Sequence, residues 1–294
     1  MTLSTKSFHE LKPGEVTLAW NRLDIEQRMF FAGKRFTRVN TLLSFLLAVL
    51  LTLGFHGALL LAPESTLHSK FIGQGPIPAS IVLLASWCLS ILFLKWRKLA
   101  LQRRCLDLPV IPAEADFVLS PATVDQVLDH MYQLVDDPRQ FVLFNRISIA
   151  LSNLRNIGRV SDVDEILRSQ AESDEAVSEG SYVLLNGFLW AIPILGFIGT
   201  VLGLSIAIGE FGAVMSASDS PDTLLTALND VTGGLGIAFD TTLEALVAAL
   251  AIQMLVTFLR KSEQEFLDEC AEYCTCHIVN KLKLLPFHES TELG

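Results

Sequence analysis

The sequence is short of charged residues. Asp, Glu, Lys and Arg make up 18% of its 294 residues, while hydrophobic residues make up 51%. A soluble domain of average composition carries about 25% charged residues, so the deficit indicates that much of this chain contacts lipid. Basic residues are the scarcer kind, and the formal net charge of -10 argues against a nucleic-acid partner.

Sequence signals for several other classes of protein are also missing. Five cysteines at irregular spacing do not form the disulfide framework of a small secreted domain. No Gly-x-x-x-x-Gly-Lys-Ser/Thr motif is found, so ATP-driven work has no support. The first forty residues lack the basic start, apolar stretch and cleavage site of a secretory signal, and we expect none.

Three cysteines and one histidine lie close together near the end of the chain, at Cys270, Cys274, Cys276 and His277. A zinc site usually needs four ligands with a second pair elsewhere, and the sequence offers no such pair. We therefore predict structural cysteines, no metal, no other cofactor and no enzymatic activity. A membrane enzyme or redox sensor that uses these cysteines is the alternative hypothesis.

Four apolar runs are long enough to cross a membrane, which takes roughly 20 residues. They predict spans at about 41–61, 77–94, 182–209 and 231–259, and hence an all-α, polytopic membrane protein. The predicted organisation is an amphipathic segment at 1–40, a transmembrane hairpin at 41–94, a helical domain at 95–180, a core with the last two spans at 181–259, and a C-terminal helix and tail at 260–294.

Basic residues near the ends of the spans predict the orientation. Basic residues lie next to the spans in segments 1–40, 95–180 and 260–294. In contrast, Lys70 is the only Lys or Arg of segment 62–76, and segment 210–230 has four acidic residues and no Lys or Arg. Because positive residues accumulate on the cytoplasmic side, we expect both termini and the helical domain in the cytoplasm.

Helices are predicted in the polar segments as well, and no strands. An amphipathic helix is expected within residues 14–38, either at the membrane interface or in the cytoplasm. Ser120-Pro121 predicts a helix start with proline at the first position. A second helix should run from Phe141 to Gly158, and a third should begin at Ser161, with Asp164 three residues later.

Small residues dominate one face of the third span. Gly199 and Gly203 form a small-xxx-small pattern, which permits close packing of helices in lipid, and Gly196 enlarges this smooth face. Pro193 removes one backbone hydrogen bond and should bend the span. Two interpretations stay open: the face only packs against another helix, or it also lines a pore with Thr200 as its polar group.

The pattern Pro-x-x-Gly-x-x-Gly-Thr-Val-x-Gly at 193–203 resembles the second-last span of TolQ and ExbB, in the MotA/TolQ/ExbB family. The run from Thr242 to Ala249 is similar to the last span of the same family. The resemblance covers roughly residues 145–262.

The resemblance implies a fold and a function. Family members form a helical pentamer around a pore in the bacterial inner membrane. Inside it sits a pair of single-span partner subunits, similar to ExbD, TolR or MotB, that carry an essential membrane Asp. A flow of protons or sodium ions drives rotation and does mechanical work. By motif position, Thr200 and Thr242 match the threonines that face the partner's Asp, and Thr241 beside them is a further candidate for lining the pore.

Two acidic residues distinguish the fourth span. ExbB-like members carry a Glu five residues before the last-span Thr, where this chain has Ile237, while Asp240 and Glu244 lie on the same helix face as that position. Ionisable residues inside a span are costly and usually functional. Ion relay, partner binding and subunit pairing remain open for both, and Asp240 can alternatively cap or snorkel at the outer interface. A passive channel or scaffold is the alternative to the ion-driven motor.

Overall fold

The computed structural model describes residues 18–72, 74–111, 119–157, 161–217 and 221–282. Over these ranges the chain forms helices, and strand pairing is limited to isolated bridges at Leu18–Val135 and Leu119–Leu282. The predicted all-α fold is confirmed. The helices are α1 (Trp20–Leu23), α2 (Ile25–Arg28), α3 (Thr41–Leu60), α4 (Thr66–Ile72), α5 (Pro76–Arg103), α6 (Val124–Leu134), α7 (Val142–Ile157), α8 (Ser161–Gly180), α9 (Val183–Ala217) and α10 (Pro221–His277), with short 3-10 turns at Pro138–Gln140 and Val279–Lys281.

The chain divides into two compact units. One, here called the span unit, comprises Val39–Lys95 and Ser181–Arg260; the other, the polar unit, comprises Met1–Arg38, Trp96–Gly180 and Lys261–Gly294. Four of the described helices are long and apolar enough to cross a membrane. They are α3, α5, α9 and α10, which confirms the four predicted spans and makes the chain a multi-pass membrane protein.

In the span unit, a polar cap and an aromatic cluster fix the first hairpin. The Asn40 side chain accepts a hydrogen bond from the Leu42 backbone N–H at 3.0 Å and so caps the start of α3. The indole N–H of Trp87 on α5 donates to Ser44 Oγ on α3 at 3.1 Å. The Trp87 ring also packs against Phe45 and Phe188, with centroid distances of 4.8 Å and 4.6 Å. Helices α3, α5 and α9 therefore meet around one indole.

The core of the polar unit follows the apolar stripe of α6. Every residue of that stripe is buried: Val124, Val127, Leu128, Met131 and Leu134. Helix α7 contributes Phe144, Ile147 and Leu151 to the buried set. Trp20, near the start of the sequence, is 1% exposed and packs edge-on against Phe141, with 5.3 Å between the ring centroids.

Two cations are buried in the polar unit with acidic partners. The Lys98 ammonium lies 2.7 Å from Glu26 Oε2, and it also donates to the backbone oxygens of Lys34 and Arg38. Arg146 Nε donates to Asp174 Oδ2 at 3.0 Å. Burial raises the pKa of Asp24, beside Lys98, and that of Asp174, although in each case the neighbouring cation opposes the shift.

The structure corrects the expected helix at 14–38. Its described part forms two four-residue helices, α1 and α2, with Asp24 between them in an extended conformation. The single helix is wrong because tertiary contacts decide this segment. Trp20 and Glu26 are buried in the polar unit, and the Asp136 carboxylate accepts hydrogen bonds from the backbone of Trp20 and Asn21 at 2.8 Å and 3.1 Å.

The predicted start of α6 is also wrong. The helix begins at Val124, and the residues before it form a turn in which the Thr123 backbone N–H donates to the Ser120 carbonyl at 3.0 Å. Thr123 Oγ1 accepts from the Ser120 N–H at 2.9 Å and stabilises that turn. The predicted start of α8 at Ser161 is confirmed. Gly158, where the helix from Phe141 was expected to end, lies outside the described residues. So do Asp219 and the tail at 283–294.

Candidate functional site

Helices α9 and α10 pack through small residues. A methyl group added at Gly196 would lie 2.5 Å from the Ala245 Cβ, and one added at Gly199 would lie 2.5 Å from Thr241 Oγ1. Gly203 also lies against α10, since a methyl there would lie 3.0 Å from the Gly234 carbonyl oxygen. Helix α9 continues through Pro193. The smooth face of the third span is therefore occupied by the fourth span of the same chain.

The candidate threonines lie within this helix interface. The hydroxyls of Thr200 on α9 and Thr242 on α10 hydrogen-bond to each other. Thr200 Oγ1 also lies 3.1 Å from the Ala238 carbonyl, and Thr242 Oγ1 lies 3.1 Å from the Gly196 carbonyl. Both side chains are half-buried. The two candidate positions thus meet in the structure, and each hydroxyl oxygen keeps acceptor capacity for a further group.

Thr241 is placed differently from its neighbour. It is 1% exposed, it donates to the Ala238 carbonyl at 3.1 Å, and it fills the space opposite Gly199. This arrangement uses the Thr241 hydroxyl for packing between α9 and α10.

The two acidic residues of α10 belong to a second cluster. A helix turns about 100° per residue, so Asp240 and Glu244 each point about 200° away from Thr242. Asp240 Oδ1 accepts from the Lys70 ammonium at 2.6 Å, and its Oδ2 accepts from the Gln74 amide at 3.3 Å. Asp240 is therefore held by the loop between the first two spans rather than by the threonine pair.

Lys70 and Gln74 are functional candidates that the sequence did not single out. Lys70 lies on α4 and counted only as the single basic residue of segment 62–76. Its contact spans 170 positions of the sequence, so no local pattern could reveal it. The hydrogen bond to Asp240 raises the pKa of Lys70 above its ordinary value, which keeps the ammonium charged.

Glu244 faces a cavity and has no partner for its carboxylate. Both of its oxygens are buried, and neither has a hydrogen-bond partner among the described residues. The cavity holds about 620 Å³ within the span unit, and its wall is mostly apolar. It is lined by Leu51, Phe55, Leu67, Phe71, Ile81, Val82, Leu89, Leu243 and Val247, together with Lys70, Asp240 and Glu244.

The C-terminal cysteines are packed into the polar unit rather than arranged as a site. All five cysteines are free, and all but Cys276 are buried. Burial raises the pKa of Cys105 and Cys270, and that of Cys274 to about 12. Over the described ranges, no group of three or more His, Cys, Asp or Glu side chains is placed to hold a metal.

Residues 142–272 match the model of the MotA/TolQ/ExbB proton channel family. The matched segment contains the glycine interface, the threonine pair and both acidic residues of α10. No curated protein and no solved structure matches the chain. The family is one of membrane channels and not of enzymes.

Proposed function

We propose that this chain is the channel subunit of an ion-driven stator in the bacterial inner membrane. It assembles as a pentamer around a single-span partner subunit with a membrane Asp, of the ExbD, TolR or MotB kind. Protons, or alternatively sodium ions, pass at the interface between the two proteins and drive mechanical work. The proposal rests on the family of residues 142–272 and on the threonine pair.

The threonine pair is the observation that carries the proposal. Thr200 and Thr242 come from different spans, yet their hydroxyls meet in a membrane region that is otherwise mostly apolar. Large apolar side chains stand exposed next to them on both helices, including Phe197, Val201 and Phe239. A hydroxyl pair in such surroundings can hold a water molecule or an ion beside a partner carboxyl.

The experiment measures ion flux in liposomes that contain the chain with its co-purified single-span partner. Thr200→Val and Thr242→Val should reduce flux strongly while the oligomer stays intact, because valine keeps the shape and removes the hydroxyl. Thr257→Val is the matched control, since Thr257 lies on α10 and is exposed, and among the described residues its hydroxyl bonds only to the Gln253 carbonyl of its own helix. Parent-like flux in both variants would defeat the proposal.

A passive channel or scaffold is the competing function. It predicts that the chain alone conducts, or assembles fully, with no single-span partner and no dependence on an ion gradient. Purification from native membranes separates the two hypotheses, because a motor subunit should bring a single-span protein with it and a scaffold should not.

A further inference from the structure

We propose that the Lys70–Asp240 ion pair is a latch that holds α4 over a protonated Glu244, and that opening the latch admits protons to this carboxyl. The inference rests on the proposed function for its use in the cell. It adds a gated proton-holding site on the side of α10 opposite the threonine pair.

The latch joins the loop after the first span to the fourth span. Lys70 Nζ lies 2.6 Å from Asp240 Oδ1, and Gln74 Nε2 lies 3.3 Å from Oδ2. Both oxygens of Asp240 are thereby occupied, so this carboxylate is stable in its charged form. The Lys70 and Asp240 side chains are 38% and 29% exposed. An ion pair with this exposure is weak and is screened by salt, so the latch can open.

Glu244 lies one helical turn from Asp240 and receives no comparable compensation. Lys70 is committed to Asp240, and the Glu244 oxygens are buried beside the apolar cavity without a donor. A charged carboxylate without a hydrogen bond is costly in such an environment, whereas the neutral acid is tolerated. We therefore assign a bound proton to Glu244 in this latched state.

The cavity explains how the site is covered and suggests how to detect it. Phe71 and Leu67 of α4 form part of its wall, facing Leu243 and Val247 of α10. When Lys70 releases Asp240, the polar contact that remains between this loop and α10 among the described residues is the long hydrogen bond from Gln74, at 3.3 Å. Movement of α4 would then expose Glu244 through the cavity.

A hydrophobic carbodiimide tests both parts of the inference. The O–H of a protonated acid adds across one C=N bond: the carboxyl oxygen bonds to the central carbon, the proton goes to the nitrogen, and the resulting O-acylisourea rearranges to a stable N-acylurea. The probe is dicyclohexylcarbodiimide, added to the full-length protein in liposomes. Peptide mass spectrometry should find one added carbodiimide on Glu244, and Glu244→Gln should lose that adduct.

The latch is tested by the rate of this modification. The double variant Lys70→Met with Asp240→Asn removes the ion pair without changing the net charge, and it should be modified several-fold faster than the parent. Molar salt should accelerate the parent in the same way and leave the double variant unchanged. Lys261→Met removes an exposed cation of the polar unit and should have no effect.

An unmodified Glu244 in both the parent and the double variant would overturn the bound proton. Equal rates in the two proteins, with no effect of salt, would overturn the latch. Neither result depends on the threonine variants, whose flux tests the proposed function separately.

Discussion

Gly199 lies where α9 and α10 touch, and no larger residue fits there. An added methyl group would meet Thr241 Oγ1 at 2.5 Å and its Cβ at 2.9 Å. Thr241 is itself buried, so it has no free space into which to move. Overpacking of this kind typically costs about 1–3 kcal/mol.

We therefore predict that Gly199→Ala lowers the melting temperature of the detergent-solubilised protein. Gly209→Ala is the matched control on the same helix, because no atom outside its own helix backbone lies within 4 Å of the added methyl. It should be neutral or slightly stabilising, since alanine is the better helix former by about 0.5–1 kcal/mol. Equal melting temperatures for the two variants would contradict the interface described above.

The cysteines provide a second prediction for single residues. Burial raises the pKa of Cys270, and that of Cys274 to about 12, so both stay protonated and covered as the pH rises from 7 to 9. Because only the thiolate reacts, iodoacetamide should modify the exposed Cys276 at either pH and leave these two untouched. Mass spectrometry before and after denaturation checks this. Rapid modification of Cys270 in the native protein would support the redox-sensor alternative.

Part of the site was predictable from residues alone, and part was not. The family motif singled out Thr200 and Thr242, and the small-residue spacing singled out Gly196, Gly199 and Gly203. Neither pattern predicted that the two hydroxyls bond to each other. However, the glycines meet the fourth span of the same chain, so they give no evidence for a neighbouring subunit. Lys70 escaped prediction because its partner lies 170 positions away.

At the scale of helices, composition predicts where a helix can lie in lipid better than where it ends. The apolar runs predicted α3 and the start of α5 closely. However, α5 continues to Arg103, α9 continues to Ala217, and α10 already begins at Pro221. The extensions of α9 and α10 carry Glu210, Asp222 and Asp230, because a helix that leaves the membrane needs no apolar residues to continue. In contrast, α1 and α2 are set by burial of Trp20 and Glu26, which no local periodicity encodes.

Lys98 on α5 gives the prediction at this scale, because it holds the segment of α1 and α2 in the polar unit. Its ammonium is fully buried between Glu26, 2.7 Å away, and Asp24, 3.8 Å away. Lys98→Met leaves two buried acids without a cation, and breaking a buried pair costs about 3–5 kcal/mol.

Hydrogen exchange should show loss of protection at residues 20–28 in Lys98→Met, with a lower melting temperature. Lys261→Met is the matched control: Lys261 pairs with Glu265 on the surface of α10, where ion pairs contribute little. Unchanged protection in Lys98→Met would show that Trp20 and its packing hold the segment without the ion pair.

For the whole molecule, the basic residues outside the spans predict the orientation in the membrane, with both termini and residues 95–180 in the cytoplasm. A cysteine-free variant with one reporter cysteine at Ser216 should react with an impermeant thiol reagent added to intact cells. A reporter at Glu172 on α8 should react only after the membrane is opened. The reverse pattern would overturn the positive-inside assignment.

The last prediction concerns the oligomer. Small residues remain open on α10 after the chain has folded: at Gly233 and Gly236 an added methyl group would meet no atom outside its own helix backbone within 4 Å. They lie about 60° apart around the helix, so together they form a surface on which a helix of another subunit can pack closely. The α9–α10 interface is satisfied within the chain and leaves this surface for assembly.

Native mass spectrometry in detergent should give the mass of five chains. Gly236→Leu should reduce the fraction of pentamer, whereas Gly57→Leu on α3, at an equally open position, should not. A monomer as the main species of the parent would remove the pentamer, and equal loss in both variants would place the subunit contact elsewhere on the chain.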